Sequence, residues 1–181
     1  MLPDKTTGKK TALICLYILT AATVAFAWIH SSMPVPASQA ESGAVLDFLR
    51  PFLRLILPDE LITETLVRKL AHFAEYGLLG TESLCILLIR HGDAPVSSDT
   101  KHSALKNIGL RKLVNTLYFA FSIAFVDETI QIFSGRGPLI SDVWIDLGGF
   151  VCGGIAALVI YGIIRAARRK SENTDTFKQR V

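Results

Sequence analysis

Four apolar stretches of membrane-spanning length constrain the fold of this chain most. They cover residues 11–29, 66–90, 113–134 and 142–164. A transmembrane helix needs about 20 predominantly apolar residues to cross the hydrocarbon core of a bilayer. The apolar content of 50%, the charged content of 19% and the mean hydropathy of +0.41 agree with such a chain. We therefore predict an all-α polytopic membrane protein, a bundle of four transmembrane helices.

The basic residues are clustered, and their positions predict the orientation of the chain. They lie before the first stretch, between the second and the third, and after the fourth. With four crossings these regions share one side, which the positive-inside rule makes cytoplasmic. We predict a cytoplasmic N-terminus at 1–10, a membrane domain at 11–164 and a frayed, basic cytoplasmic tail at 165–181. The net charge of +3 forms no basic stripe, so we expect no nucleic-acid partner.

The first apolar stretch also has features of a signal peptide, with a basic start and a small-residue cleavage site at Ser38-Gln39-Ala40. The apolar core of a signal peptide is about 7–15 residues long, which is shorter than residues 11–29. A retained first helix is therefore favoured, and cleavage stays open as the alternative.

Residues 30–65 join the first two stretches on the predicted extracytoplasmic side. Pro34 and Pro36 are expected to break any helix there. The second half mixes apolar residues with charges at near-helical spacing, and it fits a segment lying in the membrane interface with a break or kink at Pro51. An ordinary loop with a short buried helix fits equally well. Pro58-Asp59 is typical of a helix start.

Polar residues recur on one face of the second stretch. His72, Glu75, Tyr76, Leu79 and Glu82 follow i, i+3, i+4, i+7 spacing and share that face. Lipid does not solvate charged groups, so the face is predicted to look into the bundle.

The predicted orientation brings most of the polar groups to one depth. The second and fourth stretches enter from outside and the third runs outward, so a rise of about 1.5 Å per residue places their polar residues in the outer half of the membrane. Glu82 alone lies deeper. The predicted polar binding site consists of Lys69, His72, Glu75, Tyr76, Asp127, Glu128, Gln131, Arg136, Asp142 and Asp146.

Several of these residues also have simpler structural interpretations. Asp142 or Ser141 is suited to cap the fourth helix. Asp127 is suited to pair with Arg136 in the turn. The Gly149-x-x-x-Gly153 pattern is typical of a close-packing surface for a neighbouring helix, and it also suggests a homo-oligomer through that face.

The acids of the predicted site outnumber its bases, so its stability requires protonated acids or a cation among them. One histidine with several carboxylates is a ligand set suited to a divalent metal. The sequence has no HExxH motif, however, and we expect no metal and no cofactor. No GxSxG motif supports a serine nucleophile. Cys15, Cys85 and Cys152 have no metal-binding spacing and are interpreted as small apolar residues.

At these residues the chain resembles the VanZ-like family of membrane proteins, the teicoplanin-resistance type. The resemblance covers roughly residues 25–160, and Asp146 departs from it because many members have Asn there. The matching pieces are Ser31-Ser32-Met-Pro, Lys69-Leu-Ala-His72-Phe-Ala-Glu75-Tyr76, Asp127-Glu128-x-x-Gln131, Gly135-Arg136, Ser141-Asp142 with Asp146, and Gly148-Gly149. The resemblance implies a small multi-pass protein of the bacterial cytoplasmic membrane, concerned with the cell envelope, and it does not imply an enzyme.

Three functions follow from these expectations. The site binds a lipid-linked envelope molecule or a glycopeptide such as teicoplanin at the outer leaflet, with Arg136 suited to hold a phosphate. Alternatively, the protein is a membrane-embedded hydrolase or transferase, with or without a metal, that acts on a lipid-linked substrate. A small proton-coupled carrier, with Glu75, Asp127 and Glu82 as relay, is the third possibility.

Overall fold

The computed structural model describes residues 5–91, 108–135, 137 and 139–178, and side chains as far as Arg168. Within these residues the secondary structure is helical, and there is no strand. The α-helices are α1 (Lys5–Ser31), α2 (Val35–Leu53), α3 (Glu64–His91), α4 (Leu110–Phe133) and α5 (Ile140–Lys178), and a short 3-10 helix covers Asp59–Leu61.

Three segments in the described part of the chain are long and apolar enough to cross a membrane: Thr6–Ser31, Leu110–Phe133 and Ile140–Arg168. The predicted all-α class and the membrane character of the chain are confirmed to this extent. Helix α3 is not among the three, although its 28 residues would extend about 42 Å. Its crossing, and with it the count of four, stays a prediction.

Helix α5 continues into the basic tail, where a frayed end was predicted. The segment from Arg165 to Lys178 contains no Gly or Pro, and seven of its 14 residues are Ala, Arg or Lys. These residues have a low helix-formation cost, so nothing in the local sequence ends the helix at the membrane boundary.

The segment between α1 and α3 contains the 19-residue helix α2. Pro34 and Pro36 were expected to break a helix, but α2 begins between them. Proline is tolerated in the first helical turn because the N–H that it lacks has no partner there. Pro51 lies near the end of α2, where it removes only one late hydrogen bond. The predicted helix start at Pro58-Asp59 is the short 3-10 helix, and α3 follows at Glu64.

Several acids are buried and many large apolar side chains are exposed, which is unusual for a soluble protein. The buried side chains include acids and an amide: Glu82, Asp127, Glu128, Gln131 and Asp146. The exposed side chains include large apolar groups such as Phe26, Phe48, Phe125, Trp144 and Ile155. Such an apolar exterior requires lipid rather than water around it.

The closest contact between helices joins α3 and α5 through glycines. A Cβ atom on Gly80 would collide with the backbone of Phe150, and one on Gly153 would collide with the backbone of Gly77. Thr81 adds a hydrogen bond from its Oγ1 to the carbonyl of Gly153 at 3.1 Å. The Gly149-x-x-x-Gly153 surface therefore packs on α3 of the same chain. The homo-oligomer stays a prediction, and it would need another surface.

Five helix ends meet at one end of the bundle. Ser134, after α4, donates a hydrogen bond from its Oγ to the carbonyl of Ser31, the last residue of α1. The first turns of α3 and α5 and the start of α2 lie at the same end, around one cavity. Below the cavity, Tyr76, Leu79, Ala124 and Phe150 belong to an apolar core formed by α3, α4 and α5.

Candidate functional site

A polar cavity of about 340 Å³ opens between the first turns of α3 and α5 and the turn that joins α4 to α5. Arg68, Lys69 and His72 line it from α3, Gln131 from α4 and Asp142 from α5. Successive helical turns explain this placement, because residues three or four apart on α3 project toward the same side. Four of the predicted site residues thus meet at one cavity.

Arg68 and Lys69 form a basic wall of the cavity. Lys69 Nζ lies 3.1 Å from Asp142 Oδ1 and is neutralised by it. The Nε of Arg68 is buried, and it has no hydrogen-bond partner among the described residues. Arg68 was not among the predicted site residues, but the structure shows that it lines the cavity. Arg68 therefore offers a donor that an anionic ligand would satisfy.

His72, Asp127 and Asp146 form an acidic floor, one residue each from α3, α4 and α5. Asp127 and Asp146 are both fully buried, with 0% exposure. His72 Nδ1 lies 3.6 Å from Asp127 Oδ2 and 3.8 Å from Asp146 Oδ1. These distances are too long for hydrogen bonds but short enough for strong electrostatic attraction to a charged imidazole. Because His72 also lines the cavity, it connects the cavity to the buried acids.

Residues around the acidic floor hold its carboxylates in place. Gln131 Nε2 donates to Glu128 Oε1 at 2.9 Å and to Asp127 Oδ2 at 3.4 Å. The backbone N–H of Leu139 donates to Glu128 Oε2 at 3.1 Å and so ties α4 to the start of α5. Tyr76, one turn below His72, is 1% exposed, and its hydroxyl has no hydrogen-bond partner among the described residues.

The acidic floor is also the group of residues that could hold a metal ion. One ligand atom from each of His72, Asp127 and Asp146 lies within 4.8 Å of the others. The three ligands come from three helices and lie far apart in sequence, so they cannot form a short motif such as HExxH. The expectation of no metal rested on that missing motif, which cannot detect a site assembled by packing.

Glu75 belongs to a second polar group beside the floor. His30 Nδ1 lies 3.3 Å from Glu75 Oε1, and His30 Nε2 lies 3.1 Å from Glu41 Oε2. One imidazole thus links α1, α2 and α3. Neither His30 nor Glu41 was among the predicted site residues. His30 directly precedes Ser31-Ser32-Met-Pro, one of the pieces that carry the family resemblance.

Glu82 lies apart from the cavity, in agreement with its predicted depth. It accepts a hydrogen bond of 2.8 Å from Thr23 Oγ1 on α1. Thr23 was also not predicted, although the spacing of small residues on α1 could have indicated its position. Thr20, Thr23, Ala27 and Ser31 are buried and spaced by three or four residues, so a stripe of small residues marks the inward face of α1.

Two further predictions concern the turn before α5. The helix begins at Ile140, so neither Ser141 nor Asp142 is its N-cap. Asp142 lies in the first turn, where its charge is favourable at the positive end of the helix dipole, and it pairs with Lys69. Arg136 lies outside the described residues, and its place in the site and its pairing with Asp127 stay predictions.

A helical bundle with an apolar exterior and buried acids defines an integral membrane protein. The family model for VanZ/LLP1 matches residues 13–165, which is most of the chain. The chain belongs to the VanZ/LLP1 family, and the resemblance found in the sequence is confirmed. No curated protein and no solved structure matches it.

Proposed function

We propose that the cavity binds the phosphate-bearing head group of a lipid-linked envelope molecule at the outer leaflet of the bacterial cytoplasmic membrane. The observation that carries this proposal is the basic wall: Arg68 lines the polar cavity, and its buried Nε has no hydrogen-bond partner among the described residues. A guanidinium group donates several hydrogen bonds in a fixed geometry that matches phosphate oxygens. A ligand that supplies those oxygens would satisfy Arg68.

The proposed topology has four crossings, with α3 as the second, and both termini in the cytoplasm. In that arrangement the start of α1, which carries Lys9 and Lys10, faces the cytoplasm, and the cavity opens to the outside. Lipid-linked envelope molecules and glycopeptides act at that surface. Binding there would change the sensitivity of the cell to teicoplanin, in line with the family resemblance.

An apolar groove supports a ligand that carries an acyl chain. The polar cavity is near the lower end of ordinary ligand-site volumes, about 300–1,000 Å³, and suits a head group alone. A groove of about 760 Å³ runs between α4 and α5, lined by residues such as Tyr118, Phe121, Trp144 and Val151. Trp144 lies in the same helical turn of α5 as the cavity residue Asp142 but on another face, so the groove begins at the same membrane depth as the cavity. If the head group binds in the cavity, the acyl chain of the ligand could lie in this groove.

The test compares two arginines at opposite ends of the same helix. Arg68→Gln removes the charge of the basic wall, whereas Arg90→Gln removes a charge that contacts Tyr17 away from the cavity. Binding of a fluorescent polyprenyl phosphate to the purified protein in nanodiscs is the measurement. A charge-assisted hydrogen bond contributes about 1.5–3 kcal/mol, so Arg68→Gln should weaken binding by about 10-fold or more. Equal affinities in the two variants would contradict the proposal.

Hydrolysis or transfer on the same ligand is the second candidate function. It is favoured by His72, which reaches the cavity and has the Asp127 carboxylate 3.6 Å from its Nδ1, an arrangement suited to a general base. The test is release of inorganic phosphate from a polyprenyl diphosphate by the wild-type protein, with His72→Gln as the inactive control. Absence of release by folded wild-type protein would leave binding as the function.

We do not propose proton-coupled transport. The relay through Glu75, Asp127 and Glu82 stays a prediction from the sequence, and no described hydrogen bond between Glu75 and Glu82 supports it. Glu75 contacts His30, and Glu82 contacts Thr23.

A further inference from the structure

We propose that His72, Asp127 and Asp146 bind one divalent metal ion at the floor of the cavity. The three residues offer an imidazole nitrogen and two carboxylate oxygens that lie within 4.8 Å of one another. They come from α3, α4 and α5, so the ion would join the three helices that form the apolar core below it.

The condition of Asp146 is the first argument. Its residue exposure is 0%, and neither carboxylate oxygen has a hydrogen-bond partner among the described residues. A buried carboxylate without hydrogen bonds is costly, and membrane proteins pair such groups or use them as ligands. The His72 imidazole lies nearby, with 3.8 Å between its Nδ1 and Asp146 Oδ1. A metal ion between the two would satisfy both.

The spacing of the ligand atoms is the second argument. Nitrogen and oxygen ligands lie about 2.0–2.2 Å from a tetrahedral zinc ion, which places them about 3.3–3.6 Å from one another. The distances from His72 Nδ1 to the two carboxylates are 3.6 Å and 3.8 Å. These two separations are too long for hydrogen bonds and exceed the zinc values by at most about 0.5 Å. The separation between the two carboxylates is at most 4.8 Å, so Asp127 and Asp146 would move toward each other around the ion.

The balance of charge is the third argument. Glu128 lies beside the floor with Gln131 and the Leu139 N–H as its hydrogen-bond donors, and both donors are neutral. Lys69, a cation of the same cavity, is already paired with Asp142. A divalent ion would balance the two floor carboxylates at the point where they meet.

The donor set also indicates the kind of ion. Imidazole suits zinc and other transition metals, whereas carboxylate oxygens suit manganese as well as zinc. Three protein ligands leave a coordination position open, and His72 lines the cavity, so that position would be reached from the cavity. Gln131, which donates to Asp127 Oδ2 at 3.4 Å, would orient one ligand from behind.

This inference concerns the same cavity as the proposed head-group site but depends on different residues. Metal binding is measured without lipid, and head-group binding is lost through Arg68. The Arg68→Gln variant should therefore retain the metal, so the two proposals can fail separately.

The experiment uses the full chain purified in detergent, stripped with a chelator and reloaded with zinc or manganese chloride. Metal content after gel filtration gives the stoichiometry, and titration calorimetry gives the affinity. The test variant is Asp146→Asn, which keeps the shape of the side chain. The matched control is Asp59→Asn, an exposed acid that pairs with Arg54 and is neither one of the three ligands nor a residue that lines the cavity.

We expect the wild-type protein to bind one ion per chain, Asp146→Asn to lose about 10-fold or more in affinity, and Asp59→Asn to stay close to wild type. Folded wild-type protein that binds no ion in this ratio would overturn the proposal, as would equal affinities in the two variants. Should Asp146→Asn fail to fold, X-ray absorption on the zinc-loaded wild type decides. A first shell of one imidazole with oxygens supports the site, and a shell without imidazole rejects it.

Discussion

Replacing Gly153 by alanine should loosen the contact between α3 and α5. The added Cβ atom would collide with three backbone atoms of Gly77, and backbone cannot move aside as the end of a flexible side chain can. Gly162 lies on the same helix with nothing within 4 Å of its Cβ position, so Gly162→Ala is the matched control.

The comparison isolates the cost of the collision. Alanine favours a helix over glycine by up to about 1 kcal/mol, and this gain applies to both variants. Overpacking of a tight contact typically costs about 1–3 kcal/mol. Gly153→Ala should therefore be about 1–3 kcal/mol less stable than Gly162→Ala, and because both changes are Gly to Ala the propensity gain cancels in the difference.

Equilibrium unfolding in mixed micelles with increasing dodecyl sulfate measures this difference. Circular dichroism follows the helices, and tryptophan fluorescence follows Trp28, which packs against the apolar core. Unfolding free energies that agree within about 0.5 kcal/mol would refute the reasoning. His72 lies on α3 and Asp146 on α5, the two helices that Gly153→Ala would push apart. Gly153→Ala should therefore also lower the affinity for a metal ion at the floor.

Two further predictions concern the interior and the topology. Thr23→Val removes the hydrogen bond to the buried Glu82 and should cost about 1–2 kcal/mol in the same unfolding assay. Thr11→Val, which removes only a bond within α1, should cost less, and equal losses would show that the contact with Glu82 contributes nothing. For topology, a cysteine at Ser32 should react with a membrane-impermeant maleimide in intact spheroplasts, whereas one at Thr7 should react only after lysis. The opposite pattern would place the cavity on the cytoplasmic side.

The sequence predicted the helices well because their signals are local. The apolar runs at 11–29, 113–134 and 142–164 each lie within one helix or within one residue of its end. The errors also have local causes. Proline disrupts a helix when it lies beyond the first turn, whereas Pro34 and Pro36 lie at the start of α2. The tail after Ile164 continues as helix because no Gly or Pro interrupts it.

The candidate site was predicted as a set of residues but not as a set of contacts. Spacing on α3 placed His72 and Tyr76 on an inward face, and the acids of α4 and α5 were recognised by their cost in a membrane. Which acid meets which base depends on the rotation and depth of three helices. That is why the sequence did not predict the contact between Glu75 and His30, and why Arg68 was left out of the predicted site.

The sequence by itself determined that this is a helical membrane protein of the VanZ/LLP1 family with acids inside it, because hydrophobic length and the cost of buried charge are properties of the chain. Only the tertiary structure decided that the glycines of α5 face α3, that Arg68 borders a cavity, and that His72, Asp127 and Asp146 meet within 4.8 Å. These are distances between residues far apart in sequence. Helix packing sets these distances, and a local sequence pattern does not predict them.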